Sequence, residues 1–183
     1  NLSACWKDVE FNFIEQGIPE GATKPAGTGD AVALAERFVG GRDFIVAFGD
    51  SIVESDRPGS LVARMIREHQ SLDAACCIAV TKVRPEDVGR YGIIEPRIDP
   101  RPGASVEDGR PSIPIASIVE KPAPERAPSN LAVSARYSFS PTIFAELRKT
   151  EATSGGEVYL THAIASLIDA GLGVHAVPLN DQE

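Results

Sequence analysis

The apolar run at residues 74–80, AACCIAV, restricts the fold of this chain more than any other feature of the sequence. A strand without polar side chains must be buried on both faces, which requires helices on each side of its sheet. The run at 43–50, DFIVAFGD, reads as a second buried strand, and segments with helical spacing alternate with such runs. This pattern predicts an α/β fold with helix, sheet and helix layers around a mostly parallel, mixed sheet.

Apolar periodicity and turn-forming residues predict the individual elements. Strands are expected at 9–16, 43–50, 74–83, 90–96, 113–120, 130–140 and 173–179. Helices are expected at 30–39, 60–69, 141–150 and 156–171, and Gly- and Pro-rich loops at 17–26 and 97–112. Ligands of such sheets bind at the carboxyl ends of strands, and this rule selects Gln16, Asp50, Glu120 and Lys121.

The length of 183 residues suits one domain over 1–183, which includes a small strand-rich segment near 91–135. The first residue is Asn1 and the single methionine is Met65, so we expect a truncated sequence.

Charge and cysteine content limit the possible partners and compartments. The formal net charge of −8 argues against nucleic acid or an anionic membrane as a partner, since both select basic surfaces. No apolar run approaches the roughly 20 residues that span a bilayer. The adjacent Cys76 and Cys77 lie in an apolar run, which indicates buried thiols in a reducing compartment. Together with the absence of a secretory signal, this predicts a cytoplasmic protein.

The segment 25–32, PAGTGDAV, places two glycines at the start of a predicted helix. Such a Gly-x-Gly lets backbone approach a phosphate or a base, and a helix N-terminus favours an anion. The full dinucleotide fingerprint is not met, because Val32 stands where a third glycine is required. An ordinary tight turn therefore remains an alternative to a nucleotide-binding role.

The segment 48–53, FGDSIV, has three interpretations. Ser51 could be the nucleophile of a GDS-type esterase, but that chemistry needs a histidine that an acidic residue orients. None of the three histidines has an aspartate three residues before it, as that family requires. Asp50 is otherwise a strand-end ligand for Mg²⁺, which prefers oxygen, or a cap of the following turn.

The segment 119–122, VEKP, ends an apolar strand on an acid and a base. Pro122 should keep Lys121 in extended geometry and prevent ladder pairing beyond it, so that the pair is held rigidly at a sheet edge. A carboxylate at Glu120 can accept hydrogen bonds from sugar hydroxyls, and an ammonium at Lys121 can neutralise a phosphate. Solvated charges that merely end a strand are the alternative.

Taken in order, these motifs resemble the sugar-1-phosphate nucleotidylyltransferase family, and within it the UTP–glucose-1-phosphate uridylyltransferases. The matching pieces run from about residue 12 to residue 179 and are QG…GTGDAV, FGDSIV, YGII, VEKPAPERAPSNLAVSARY, GGEVYLTHAI and VHAVPL. The resemblance implies a Rossmann-like nucleotidyltransferase domain that forms UDP-glucose and pyrophosphate from UTP and glucose 1-phosphate. It also implies Mg²⁺ as cofactor and assembly into a homo-oligomer.

The resemblance assigns the nucleotide base to Gln16 and Gly27. It assigns the catalytic Mg²⁺ to Asp50. Both assignments fall in the segments that the residue types had already selected.

The sugar phosphate is assigned to four other positions by the same resemblance. Gly92 and Glu120 would bind glucose hydroxyls, and Val133 would place its backbone against the sugar. Lys121 would contact the phosphate, which makes it a catalytic candidate together with Asp50.

Several family features lie outside the match. The Gly-rich loop that wraps the triphosphate is expected before Asn1, and a second metal-binding aspartate is expected after Glu183. The loop 17–26 is longer and richer in proline than the family pattern, and His162 stands where an aspartate is usual. Two other functions stay open: a non-catalytic or regulatory sugar-nucleotide-binding module of the same fold, and a sibling enzyme that uses dTTP.

Overall fold

One mixed sheet of six strands forms the centre of the residues that the computed structural model describes, 9–97 and 112–180. Its strands are β1 Phe44–Ala47, β2 Cys76–Lys82, β3 Gly92–Pro96, β4 Ile113–Glu120, β5 Leu131–Phe139 and β6 Val174–Pro178. The order across the sheet is β1-β5-β2-β6-β4-β3, and β5 also pairs with β3. The predicted loop at 97–112 lies almost entirely outside the described residues.

The helices cover the sheet near the positions that the apolar spacing indicated. They are α1 Thr28–Ala33, α2 Glu36–Val39, α3 Ser60–Ser71, α4 Thr142–Lys149 and α5 Leu160–Asp169, with 3₁₀ turns at Pro85–Arg90 and Pro124–Arg126. The helix predicted at 30–39 is divided into two short helices, and the helix predicted at 60–69 continues to Ser71. The helix predicted at 156–171 begins only at Leu160, because Gly156 has a φ of 76° and Tyr159 is extended. No helix in the described part of the chain is long and apolar enough to cross a membrane.

Alternate residues of β2 enter two separate cores, one on each face of the sheet. Cys76, Ile78 and Val80 pack with residues of α1, α4 and α5, whereas Cys77 and Ala79 pack with residues of α3. Side chains of successive strand residues point to opposite faces, so an entirely apolar strand can satisfy both cores. The predicted α/β class with helices on both faces of a mixed sheet is confirmed.

The expectation that parallel pairs would predominate was wrong for the described residues. There, β2 and β6 are the parallel pair, and the other five pairings are antiparallel. Apolar strands indicate burial on both faces, and here the two helix layers provide that burial whichever way the neighbouring strand runs. The apolar run at 74–80 therefore predicted the layers correctly and the strand direction incorrectly.

The strand predicted at 9–16 is not formed in the structure. This stretch has no regular secondary structure, and Val9, Phe11, Phe13 and Ile14 are exposed, Phe13 by 84%. Alternation of apolar and polar residues describes a half-buried strand only where a neighbouring strand and a core are present. Neither is present for this stretch among the described residues.

His69 attaches the last turn of α3 to the sheet. Its Nδ1 lies 3.1 Å from Ser138 Oγ on β5, and its Nε2 lies 3.6 Å from Asp43 Oδ2, just before β1. His69 and Ser138 are both buried. Their mutual hydrogen bond satisfies two polar groups within the helix–sheet interface, so this contact is explained by packing.

Candidate active site

Antiparallel pairing brings the start of β3 to the end of β4. Gly92 is the partner of Glu120 in this register. A Cβ placed on Gly92 would lie 3.0 Å from Thr161 Cγ2, 3.4 Å from Val133 Cγ2 and 3.5 Å from Glu120 Oε2. Only a residue without a side chain fits at this point without displacing these neighbours. Three residues predicted to bind sugar therefore meet at one point, together with Thr161, which the sequence analysis did not identify.

The carboxylate of Glu120 has a different neighbour at each oxygen. Thr161 Oγ1 donates to Oε2 at 2.9 Å, and Lys121 Nζ lies 3.6 Å from Oε1. The side chain of Glu120 is 18% exposed and that of Lys121 is 53% exposed. The carboxylate is thus oriented from the protein side, while the ammonium is accessible to a ligand.

Lys121 is not extended, which corrects the expectation drawn from Pro122. Its φ is 45°, in the left-handed region that non-glycine residues rarely adopt. The strand has ended at Glu120, and the N–H of Lys121 donates to the carbonyl of Tyr91 at 3.0 Å. This turn moves the ammonium to the same side as the Glu120 carboxylate. The cost of such a conformation is of order 1–3 kcal/mol, and it tends to persist at ligand sites.

An aromatic ring and a second acid complete the surroundings of Lys121. Its Nζ lies 5.7 Å from the ring centre of Tyr159, within the range of a cation–π contact. Lys24 and Tyr159 both donate to the carboxylate of Glu157, and these two hydrogen bonds hold the pKa of Glu157 below its ordinary value. The pKa of Tyr159 is raised, chiefly because its hydroxyl donates to Glu157. The proline-rich loop 17–26 therefore reaches the sugar-phosphate side through Lys24.

The two residues predicted to contact a base also lie together. Gln16 Nε2 donates to the carbonyl of Gly27 at 2.9 Å and to Asp30 Oδ2 at 2.7 Å. Gly27 precedes α1 with a φ of 94°, and a Cβ there would lie 3.0 Å from the carbonyl oxygen of Val158. Both the positive φ and the close backbone require glycine at this position. Glycine is therefore required here by the packing of the backbone against Val158 as well as by the turn.

Residues 157–161, which we call the bridging segment, contact both of these groups. The N–H of Val158 donates to the carbonyl of Ala26 at 2.6 Å, and the N–H of Gly29 donates to the carbonyl of Val158 at 2.8 Å. Three residues further on, Thr161 holds Glu120. The bridging segment therefore fixes the group around Gln16 and Gly27, predicted to bind the nucleotide, relative to the group around Gly92 and Glu120, predicted to bind the sugar phosphate.

Asp50 lies in the turn after β1, as the sequence predicted, and its side chain is exposed. Arg136 on β5 supports this turn, because its guanidinium donates to the carbonyls of Phe48 at 3.2 Å and Ser51 at 2.7 Å. Among the described residues, no hydrogen bond or ion pair joins Asp50 to Glu120 or Lys121. The turn is held in place, and its carboxylate is free to meet a ligand.

The residues present can supply part of a divalent-metal site. Within 9–97 and 112–180, no group of three or more His, Cys, Asp or Glu side chains is placed to hold a metal ion. Mg²⁺ is commonly bound by one or two carboxylates, with phosphate oxygens of the substrate and water completing its shell. An exposed, well-supported Asp50 fits the first of these ligands.

The esterase interpretation receives no support from the structure. In the described part of the chain, no histidine is hydrogen-bonded to Ser51. His162 is exposed and packs edge-on against the ring of Tyr159, at 5.5 Å between ring centres. Ser51 therefore lacks the base that nucleophilic catalysis requires.

The fold and the site define a class of protein: a layered α/β protein with close-packed glycines at a helix start and at the start of β3, and an acid–base pair at a strand end. The chain belongs to the nucleotidyl transferase family, whose model matches residues 3–182. This confirms the family resemblance drawn from the sequence motifs.

Individual relatives are consistent with that membership. The chain is 38% identical to UTP–glucose-1-phosphate uridylyltransferase 2 of Streptococcus pyogenes serotype M3 over 161 residues, covering 87% of this chain and 49% of that protein. A UTP-bound UGPase from Acinetobacter baumannii shares 35% identity and a TM-score of 0.68, covering 86% of this chain and 50% of that one. A UDP-glucose pyrophosphorylase complexed with UDP-glucose shares 29% identity and a TM-score of 0.73, covering 85% and 55%. The chain spans about half the length of the curated relatives it matches.

Proposed function

We propose that the full-length protein transfers a uridylyl group from UTP to glucose 1-phosphate, giving UDP-glucose and pyrophosphate. The observation that most supports this is the convergence of Gly92, Val133 and the Glu120–Lys121 pair at one point. A carboxylate that can accept from hydroxyls lies there beside a cation, and this is the chemistry that binds a sugar phosphate. The relatives' names, which specify UTP and glucose 1-phosphate, agree with it.

In this proposal the nucleotide half holds the uracil base. Gln16 is oriented by its bonds to Gly27 and Asp30, and the glycine backbone can approach the base edge closely. A side chain at Gly27 would displace either the base or the bridging segment at Val158. Residues 1–183 then form one nucleotidyltransferase-type domain.

The sugar half binds and orients glucose 1-phosphate. Glu120 accepts from glucose hydroxyls at a position fixed by Thr161, and Val133 closes the wall. Lys121 neutralises the phosphate that carries out the attack. Its contact with Tyr159 and its ion pair with Glu120 keep the ammonium near the mouth of the site.

The reaction joins a phosphate oxygen of glucose 1-phosphate to the α-phosphorus of UTP, while the bond from that phosphorus to the pyrophosphate oxygen breaks. No proton needs to be removed from an ionised phosphate, so the side chains act by positioning and charge neutralisation. We propose Mg²⁺ as the divalent ion, with Asp50 as one of its ligands. When bound, the ion would supply positive charge against the triphosphate.

A direct assay tests this proposal. The full-length protein is incubated with glucose 1-phosphate and Mg²⁺, and with either UTP or dTTP, and pyrophosphate and nucleotide sugar are both measured. We expect UDP-glucose as the product and a higher kcat/KM with UTP. Equal or better turnover with dTTP would contradict the uridylyl assignment and favour the dTTP-using sibling.

A non-catalytic, regulatory module of the same fold is the second candidate function. It predicts binding of UDP-glucose by calorimetry without pyrophosphate release in the same assay. Cytoplasmic location and homo-oligomeric assembly remain predictions, and light scattering of the full-length protein tests the second.

A further inference from the structure

Thr161 contacts both the acid and the glycine of the proposed sugar pocket. Its hydroxyl donates to Glu120 Oε2 at 2.9 Å, and its methyl group defines the closest limit of the space above Gly92, at 3.0 Å. Thr161 is 7% exposed, so ordered water does not replace this hydroxyl readily. Thr161 lies within the motif GGEVYLTHAI, but the resemblance assigned no role to it.

The position of Thr161 is itself determined by the nucleotide half. It lies in the first turn of α5, and the chain just before that turn is hydrogen-bonded to Ala26, Thr28 and Gly29. The hydroxyl therefore reaches Glu120 from a rigid support. Donation to Oε2 takes up one of its acceptor positions, so Oε1, the oxygen beside Lys121, keeps more acceptor capacity for a ligand.

We propose that Thr161 is a positioning and specificity-determining residue, which orients the Glu120 carboxylate so that one oxygen faces the sugar hydroxyls next to the phosphate. This inference rests on the proposed function and deepens it. A carboxylate free to rotate would present either oxygen, and would accept from a hydroxyl of either configuration. A fixed carboxylate discriminates, because the wrong epimer leaves a buried polar group unpaired.

Two variants separate the hydroxyl from the methyl group. Thr161→Val keeps the methyl and the shape of the side chain but loses the donor, whereas Thr161→Ser keeps the donor and loses the methyl. In the full-length protein we expect Thr161→Val to weaken glucose 1-phosphate binding by about tenfold, the lower end for a hydrogen bond to a charged group. It should also reduce discrimination against galactose 1-phosphate and raise KM more than it lowers kcat, while Thr161→Ser retains discrimination.

Thr142→Val is the matched control. Thr142 lies in the first turn of α4, and its hydroxyl contacts Ser140 rather than an acid of the site. It should leave sugar-phosphate affinity and epimer discrimination unchanged. Discrimination that survives Thr161→Val, or is lost equally in Thr161→Ser, would overturn the proposal, since a purely structural role predicts either result.

A ligand-independent measurement separates this inference from the proposed function. Thr161→Val, Glu120→Gln and the double variant are compared by thermal melting in a double-mutant cycle. Non-additive shifts in Tm are expected if the hydroxyl holds the carboxylate, and additive shifts would overturn it. A wild-type protein that binds no glucose 1-phosphate would refute the proposed function, and the cycle would still decide whether Thr161 positions Glu120.

Discussion

Glu120 and Lys121 are consecutive in the chain, yet their charged groups face each other, with Lys121 Nζ 3.6 Å from Glu120 Oε1. Neighbouring residues of a continuing strand point to opposite faces, so this pairing depends on the end of β4. The φ of 45° at Lys121 turns the chain at that point. The acid and the base are therefore directed to the same side of the chain, where Glu120 Oε2 would lie 3.5 Å from a Cβ built on Gly92.

Removing the ammonium tests this arrangement. Lys121→Met keeps the aliphatic stem and removes the charge that would face a phosphate. We expect glucose 1-phosphate binding to weaken by about 1.5–3 kcal/mol, as for a hydrogen bond to a charged group, and by more at low salt than at high salt. Calorimetric titration at two ionic strengths measures both effects. Lys149→Met, which removes another exposed lysine paired with an acid, is the control and should change neither.

Glu120→Gln should have a different effect from the lysine variant. The amide keeps the shape but replaces a charged acceptor with a weaker acceptor and a donor. Discrimination between glucose 1-phosphate and its epimers should fall, while the salt dependence of binding stays near that of the wild type. Competition assays with galactose 1-phosphate and mannose 1-phosphate measure this. If affinities for all three are unchanged in both the Lys121 and Glu120 variants, the pair is only a solvated strand end.

Asp50→Asn is expected to remove metal-dependent turnover without unfolding the protein. Asparagine preserves the shape of an exposed turn residue but lacks the charge that a hard cation requires. Turnover across a Mg²⁺ titration and a melting curve report the two properties separately. Asp56→Asn, at another exposed acid, is the control. A near-normal rate for Asp50→Asn would reduce Asp50 to a turn cap, and complete loss in Ser51→Ala would revive the esterase interpretation.

Gly92→Ala tests whether the space at the strand end is used by a ligand. The added Cβ would lie 3.0 Å from the methyl group of Thr161, so the pocket wall must move. We expect a higher KM for glucose 1-phosphate and a loss of stability of about 1–3 kcal/mol from overpacking. Combining it with Thr161→Ser, which removes that methyl, should restore part of the stability.

Gly155→Ala serves as the control for that pair. Its nearest heavy atom, Thr153 Oγ1, is 3.7 Å from the added Cβ, and its φ is not in the left-handed region. KM and Tm should both stay near wild type. An unchanged KM in Gly92→Ala would mean that the ligand does not enter this space.

The adjacent buried thiols of Cys76 and Cys77 in β2 lead to a prediction about how stability depends on pH. Burial is the largest cause that raises the pKa of Cys76 and Cys77, the latter from 9.0 to about 12. The neutral thiol is thus favoured in the folded state, so this contribution to stability is complete below about pH 9 and is lost as pH rises from there towards 12. Denaturant melts between pH 8 and 11 should show the decline.

Alkylation gives a second measure of the same thiols. In a Cys5→Ser protein, iodoacetamide at pH 8 should label Cys76 and Cys77 only at the rate of unfolding, because the thiolate is the nucleophile. Double replacement by alanine should flatten the pH dependence of stability. Rapid labelling of the native protein would contradict the burial of this strand.

Sequence patterns predicted the features that depend on local chemistry. The strand at 113–120 has the predicted bounds, and α3 begins at the predicted Ser60. Gln16 contacts Gly27, and Gly92 pairs with Glu120. These positions could be selected from the sequence because strand ends and glycine turns are recognisable from local residue types. These signals report which side chains are buried and where the chain turns.

The contacts that the sequence did not predict are those between distant segments. Thr161 and Glu120 are separated by 41 positions, and Arg136 and Ser51 by 85, so no spacing rule relates them. The direction of β5 and the exposure of Phe13 likewise depend on which strands become neighbours. The left-handed Lys121 was missed because proline normally favours the extended region before it, and here the end of β4 and the bond to Tyr91 prevail.

Strand β5 contributes to two parts of the candidate site. Val133 lies beside Gly92 in the proposed sugar pocket, and three residues later Arg136 supports the turn that carries Asp50. Between them Ala135 has a φ of 50°, where the pairing with β2 changes register. β5 therefore acts as a spacer of fixed length. One inserted or deleted residue would displace the Asp50 carboxylate relative to Val133 by about 3.3 Å, whereas errors of about 1 Å already impair catalysis. Substitutions in the pocket walls can change which sugar is accepted, but the length of this short stretch has to stay constant.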